Sequence, residues 1–291
     1  MKKDYIAIMT IILILSFFTS VSHAIPETSS YTYNSNFETV PAPASFEIFK
    51  IISGQELGIN GFNQPSDLFV DINQNIYIVD TGNNRIVILD KEFKLVTVID
   101  EFSNRGSDDN FSSPRGIFVT PDMKIYVADT GNNRIIRLNI DLEVDLTILR
   151  PESTLFEEAF TFLPMKLACD NAGRIFVVSD NQPQGIMEFS PDGDFKGFIG
   201  ANRVVFNFAD YIWKRISTRE QREQMQLFLP TEYNNIFLDS EGFLFVTTDK
   251  LDFSGIYSRQ SFTSTDIAQR IAPVRRINLA GSDILRRDGF G

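Results

Sequence analysis

Asp80-Thr81-Gly82-Asn83-Asn84-Arg85-Ile86 returns residue for residue as Asp129-Thr130-Gly131-Asn132-Asn133-Arg134-Ile135, 49 positions later. The flanks repeat with it. Phe62-x-x-Pro65, Leu68-Phe69-Val70 and Ile76-Tyr77-Ile78-Val79 precede the first copy; Phe111-x-x-Pro114, Ile117-Phe118-Val119 and Ile125-Tyr126-Val127-Ala128 precede the second. A period in this range marks a repeat architecture. Short apolar runs broken by Asn, Asp and Gly are strand and turn signals, and each unit holds four of them, the make-up of a propeller blade. A helical solenoid would instead space its apolar residues by three and four.

Working outward, a third unit starts at Phe162-Leu163-Pro164. It runs through Leu167-Ala168-Cys169-Asp170 and Ile175-Phe176-Val177-Val178 to the hairpin at residues 185–193. Here Ser179 replaces the Asp, and Asn-Asn-Arg is lost. A fourth unit resumes at Pro230 with Ile236-Phe237-Leu238-Asp239 and Phe243-Leu244-Phe245-Val246, Thr248 standing in the Asp column. Its outer hairpin is expected at Val274–Asn278 with Asp283–Leu285, after a loop insertion over 249–272. Phe46–Ile52 has strand character. The expected fold is therefore all-β: a propeller of four-stranded blades over 46–291, preceded by an extended spacer over 25–45.

Residues 203–229 interrupt the pattern with Phe206, Phe208, Tyr211, Trp213 and a helix-capping signature at Ser217-Thr218-Arg219-Glu220. Two short helices are predicted. The stretch is locally basic, so its aromatic face either caps the propeller or docks a partner or a membrane surface, with Trp213 and Phe208 as the contact residues.

Residues 1–24 read as a secretory signal: Lys2 and Lys3, an apolar run over Ile6–Phe18, and Ser22-His23-Ala24 at the expected cut. An uncleaved N-terminal anchor is the alternative. A lipoprotein is excluded, because the single cysteine is Cys169. Net charge is −11. An acidic exported chain is a poor partner for nucleic acid, which demands clustered Lys and Arg. One cysteine forms no internal disulfide. Cys169 occupies the column of Val70 and Val119, so it reads as a buried apolar residue. The sole histidine, His23, lies in the leader, leaving the mature chain without the commonest general base.

The repeated segments, each preceded by Ile-Tyr-(Ile/Val) and Pro-x-(Asp/Gly)-(Leu/Ile)-Phe-Val, resemble NHL repeats of the secreted bacterial type, over roughly residues 46–290. The resemblance implies a β-propeller, in that family most often six-bladed. Four units then imply an incomplete ring or a fragment of a longer gene product. It implies a binding platform for a protein or envelope glycan, with a minority of relatives acting as lyases or lactonase-like hydrolases. Those enzymes use His, or His with carboxylates around a divalent ion, which this mature chain lacks.

In the loop itself, Asp accepts hydrogen bonds from turn amides, Gly and Asn tolerate positive φ, and Arg reaches a carboxylate or carbonyl nearby. The functional alternative has these loops line one end of the channel. Arg85 and Arg134, with Asn84 and Asn133, are then the candidate ligand contacts. No cofactor is required; a Ca²⁺ ion held by oxygen ligands would have only Asp80 and Asp129 as candidates.

Overall fold

The computed structural model describes residues 30–34, 38–42, 48–156, 160–182, 184–200, 232–248 and 273–285. The predicted leader, the helices and aromatic residues of 203–229, and the insertion over 249–272 lie outside the described residues. The chain divides into two compact units, Met1–Ile52 and Ser53–Gly291.

In the first unit, β1 (Ser30–Tyr33) pairs antiparallel with β2 (Thr39–Ala42), within the segment expected to be an extended spacer. Residues 48–52 are not in a strand, which corrects the strand expected over 46–52. Apolar alternation alone does not make a strand. It needs a face to bury, and Ile48, Phe49 and Ile51 stand 70%, 88% and 75% exposed.

The second unit is a four-bladed propeller arrangement of antiparallel sheets. Blade 1 comprises β3 (Pro65–Val70), β4 (Ile76–Asp80), β5 (Arg85–Leu89) and β6 (Leu95–Ile99). A hairpin follows, β7 (Glu101–Asn104) with β8 (Ser107–Asn110). Blade 2 is β9 (Gly116–Val119), β10 (Ile125–Asp129), β11 (Arg134–Leu138) and β12 (Val144–Ile148). Blade 3 is β13 (Pro164–Cys169), β14 (Ile175–Ser179), β15 (Ile186–Phe189) and β16 (Phe195–Ile199). Blade 4 is β17 (Asn235–Leu238), β18 (Leu244–Thr247) and β19 (Val274–Ile277), with Ile277 bridged to Asp283. The β7–β8 hairpin was not expected from the sequence. Its Ser-Asp-Asp-Asn strand carries no apolar run, and only the turn residues Arg105 and Gly106, both at positive φ, hint at it.

Each blade is buried on both faces wherever it has neighbours on both sides. Tyr77, Val79, Ile86 and Ile88 of blade 1 meet Ile117, Val119, Val127 and Ile136 of blade 2. The other face of blade 2, through Tyr126 and Ile135, meets Leu167, Cys169, Val177 and Met187 of blade 3. Blade 3 then meets Ile236, Leu244 and Val246 of blade 4. A two-faced sheet explains why the middle strands read as continuous apolar runs instead of alternating. The first strands succeed one another, β3 against β9, β9 against β13 and β13 against β17. Among the described residues no equivalent contact joins β17 back to β3. Leu68 and Val70, on the outward side of β3, are accordingly 59% and 50% exposed.

The turns within blades share one device. At Asp71, Asp90, Thr120, Asn139, Asp170, Ser190, Asp239 and Asn278 the side-chain oxygen accepts the amide four residues on. The backbone closes the same five-residue bend. Asx- and ST-type turns of this kind satisfy amides that the ladder leaves over. The fourth residue always has positive φ: Gln74, Phe93, Met123 and Leu142 in blades 1 and 2, Gly173, Gly193, Gly242 and Gly281 in blades 3 and 4.

Candidate functional site

The repeated heptamer links the second and third strands of blades 1 and 2, passing through a single 3-10 turn, Thr81–Asn83 or Thr130–Asn132. Asn84 and Asn133 end those turns in the left-handed conformation, at φ 53° and 55°. Asn tolerates that region better than most residues, which accounts for its place in both copies. Gly82 and Gly131 are needed for a different reason. Each donates its N–H to the carbonyl of Asn63 or Ser112 at 2.8 Å, and a Cβ there would strike that same residue.

Asp80 and Asp129 are fully buried. Asp80 accepts from the Asn63 amide at 2.7 Å, Asn83 Nδ2 at 2.9 Å and Arg85 Nε at 2.7 Å. Asp129 repeats the set with Ser112, Asn132 and Arg134 at 2.7, 2.9 and 2.7 Å. Arg85 continues to the Asn60 carbonyl at 2.7 Å. Arg134 instead forks onto Asp109 of β8, at 2.8 and 3.0 Å. Its hydrogen bonds hold the Asp109 carboxyl down at about 2, helped by Asn104 and the Asn110 amide and opposed by partial burial. Paired, multiply hydrogen-bonded charges of this kind are what a buried site tolerates.

The loops also lace each blade to the next. Thr81 Oγ1 donates to the Pro114 carbonyl at 2.7 Å, and Thr130 Oγ1 to the Pro164 carbonyl at 2.6 Å. Asn84 Oδ1 accepts the Ser113 amide at 2.7 Å. The third blade keeps only a vestige: Ser179 Oγ accepts from the Leu163 amide at 3.2 Å, where Asp80 and Asp129 accept theirs.

The candidate ligand contacts are thus differently placed. Arg85 is buried and Arg134 half-buried, both committed to carboxylates of their own chain, whereas Asn84 and Asn133 are exposed. The two carboxylates named for Ca²⁺ belong to separate blades, and each already faces a guanidinium, so an ion would have to displace an arginine. Among the described residues no group of three or more His, Cys, Asp or Glu gathers as a metal site. Trp213 and Phe208 lie outside the described residues. Cys169 is 5% exposed, and burial, with the neighbouring Asp170 charge, raises its thiol far above the ordinary range, as its alignment with two valines implies.

One constellation went unread in the sequence. Asp67, Gly116 and Lys166 occupy equivalent positions on the first strands of blades 1, 2 and 3. Lys166 Nζ passes blade 2 to reach Asp67 Oδ1 at 2.9 Å and the Ser66 carbonyl at 2.5 Å, while Asp67 Oδ2 accepts the Ile117 amide at 3.0 Å. Gly116 lets β9 and β13 approach closely between them, since a Cβ there would run into the Met165 carbonyl. The signal was available as opposite charges in one column of the repeat, with a glycine between them.

No family model and no curated protein matches this chain. Solved β-propeller structures do. Virginiamycin B lyase from Staphylococcus aureus with quinupristin is similar at TM-score 0.44 and 12% identity, over 90% of this chain and 63% of that one. A streptogramin B lyase is similar at TM-score 0.42 and 12% identity, over 88% and 60%. A gluconolactonase from Xanthomonas campestris gives 0.41 and 14%, over 75% and 61%. The chain spans less than two thirds of the length of each of these structures. Among the described residues no helix is long and apolar enough to cross a membrane.

Proposed function

We propose that this chain is an exported NHL-type binding platform for a protein or envelope-glycan ligand, with no chemistry of its own. The observation that carries this reading is how the loop residues are used. In both copies the carboxylate takes three internal donors, and the guanidinium is spent on that carboxylate and a second acceptor. Groups held this way are already spent on partners within the chain, and they make a stiff frame. Stiffness favours binding, because little conformational freedom is lost when a ligand docks.

On this reading the exposed Asn84 and Asn133 amides, with the outer edge of Arg134, form the polar contact, and Arg85 supports them from below. Trp213 and Phe208 of the 203–229 stretch supply an aromatic contact to the same partner or to a membrane surface. The purified chain is tested against immobilised envelope polysaccharide and for turnover of lactones and α-hydroxyglycine peptides, with and without Ca²⁺. Saturable binding that weakens in Asn133→Ala and in Trp213→Ala, without turnover, is the expected result. Turnover above the uncatalysed rate would overturn the proposal.

A further inference from the structure

The sequence contains one Asn-x-Ser/Thr triplet, Asn110-Phe111-Ser112. Such a triplet is an acceptor for N-linked oligosaccharide when it is exposed in an exported chain. Some oligosaccharyltransferases also require an acidic residue two positions before the asparagine, and Asp108 stands there. The structure supplies the rest. Asn110 ends β8, on the hairpin that follows blade 1 in the chain and is bridged to blade 2 through Ser103 and Glu143, and it is exposed. Its carbonyl accepts from Arg134 and Asn132, but its side-chain amide makes no hydrogen bond among the described residues.

The two following residues are held very differently. Phe111 is 3% exposed in the core against Phe102. The Ser112 amide is bound to buried Asp129, and the Ser112 carbonyl to Gly131. A transferase must grip the hydroxyl two residues after the asparagine, and in the folded blade that residue is locked down. We propose that Asn110 carries an N-linked oligosaccharide, added during export before blade 2 closes; this rests on the export reading above. Once in place the sugar leaves the fold intact, because only the exposed amide nitrogen is used.

In the transfer the Asn110 amide nitrogen attacks the anomeric carbon of a polyprenyl-pyrophosphate-linked oligosaccharide. The N–C bond forms, and the C–O bond to pyrophosphate breaks. Its electron pair leaves with the polyprenyl pyrophosphate, and the amide proton passes to a base of the transferase. Nothing is oxidised or reduced.

The test uses the full chain, secreted behind a foreign leader in cells carrying an acid-requiring oligosaccharyltransferase and its lipid-linked donor. Trypsin releases residues 106–115, cut after Arg105 and Arg115, and mass spectrometry reads them directly. The expected result is a glycan on this peptide, lost in Asn110→Gln, Ser112→Ala and Asp108→Ala. Folded, purified chain offered to the same enzyme and donor is modified far more slowly than the synthetic 106–115 peptide. Secreted chain bearing only unmodified peptide would overturn the assignment; folded chain modified as fast as the peptide would overturn its timing. Fractionation of cells that make the protein with its own leader tests export separately. A chain retained in the cytoplasm there defeats the export reading and, with it, the native modification, even if the foreign-leader chain is glycosylated.

Discussion

In blades 1 and 2 the loop after the second strand is closed by a buried carboxylate with its arginine, while the hairpin turns force Gln74, Phe93, Met123 and Leu142 into positive φ. In blades 3 and 4 the carboxylate column holds Ser179 and Thr248, and the equivalent turns all have glycine. The same backbone is therefore reached in two ways. The early blades draw on strong polar networks and tolerate strained turns. The later blades relax the turns and give up the networks. Glycine's freedom costs chain entropy on folding, and a left-handed side chain costs native-state energy, so neither arrangement dominates.

The largest test of this contrast lies at the carboxylates. Asp129→Ala leaves three donors, the Ser112 amide, Asn132 Nδ2 and Arg134 Nε, without their buried acceptor, so a loss of about 3–5 kcal/mol is expected in chemical denaturation, the range for breaking a buried pair. Ser179→Ala at the equivalent place removes one weak acceptor and should cost about 1 kcal/mol. Equal losses would break the comparison.

Next comes Gly116→Ala. Its Cβ meets the Met165 carbonyl and the Lys166 Cα, backbone that cannot swing aside. Overpacking of this kind costs about 1–3 kcal/mol, and the melting temperature should fall accordingly.

The acid limb of stability comes third. The folded Asp109 carboxyl is lowered, chiefly by its Arg134 hydrogen bonds, from 3.8 to about 2. A depressed carboxylate stabilises the fold above its unfolded value and loses that contribution as pH falls. Unfolding measured between about pH 4 and pH 2 should therefore be less steep in pH for Asp109→Asn.

The smallest effects are at the turns, where opposite signs are expected. Gln74→Gly should stabilise slightly and Gly242→Ala should destabilise, each by roughly 0.5–1 kcal/mol, since both residues sit at positive φ and nothing stands within 4 Å of a Gly242 Cβ.

The propeller was legible because a two-faced sheet leaves an unmistakable record: apolar runs at fixed period, punctuated by Asp, Asn and Gly. Cys169 was legible for the same reason, through its alignment with Val70 and Val119. The structural use of the heptamer could be argued from residue types, since a turn carboxylate with an arginine five residues on has few other purposes. What could not be read was anything depending on distance across blades. Arg134 takes Asp109 from a hairpin with no hydrophobic signal, and Lys166 takes Asp67 from 99 residues away. The strand expected over 46–52 failed for the converse reason, because its pattern was present and its burial was not.

The lacing runs in one direction only. Thr81 holds the start of blade 2 and Thr130 the start of blade 3, through the carbonyl of a proline at the same place in each unit. A blade thus arrives with a socket at its entrance and a peg at its exit, identical in the first two copies. A gene encoding such parts can gain or lose one by a single in-frame duplication or deletion of about a unit's length. The new junction would be laced from the moment it arose, with no compensating change elsewhere. Blade 3, where Asp180 stands in the column of Thr81 and Thr130, marks where that freedom ends.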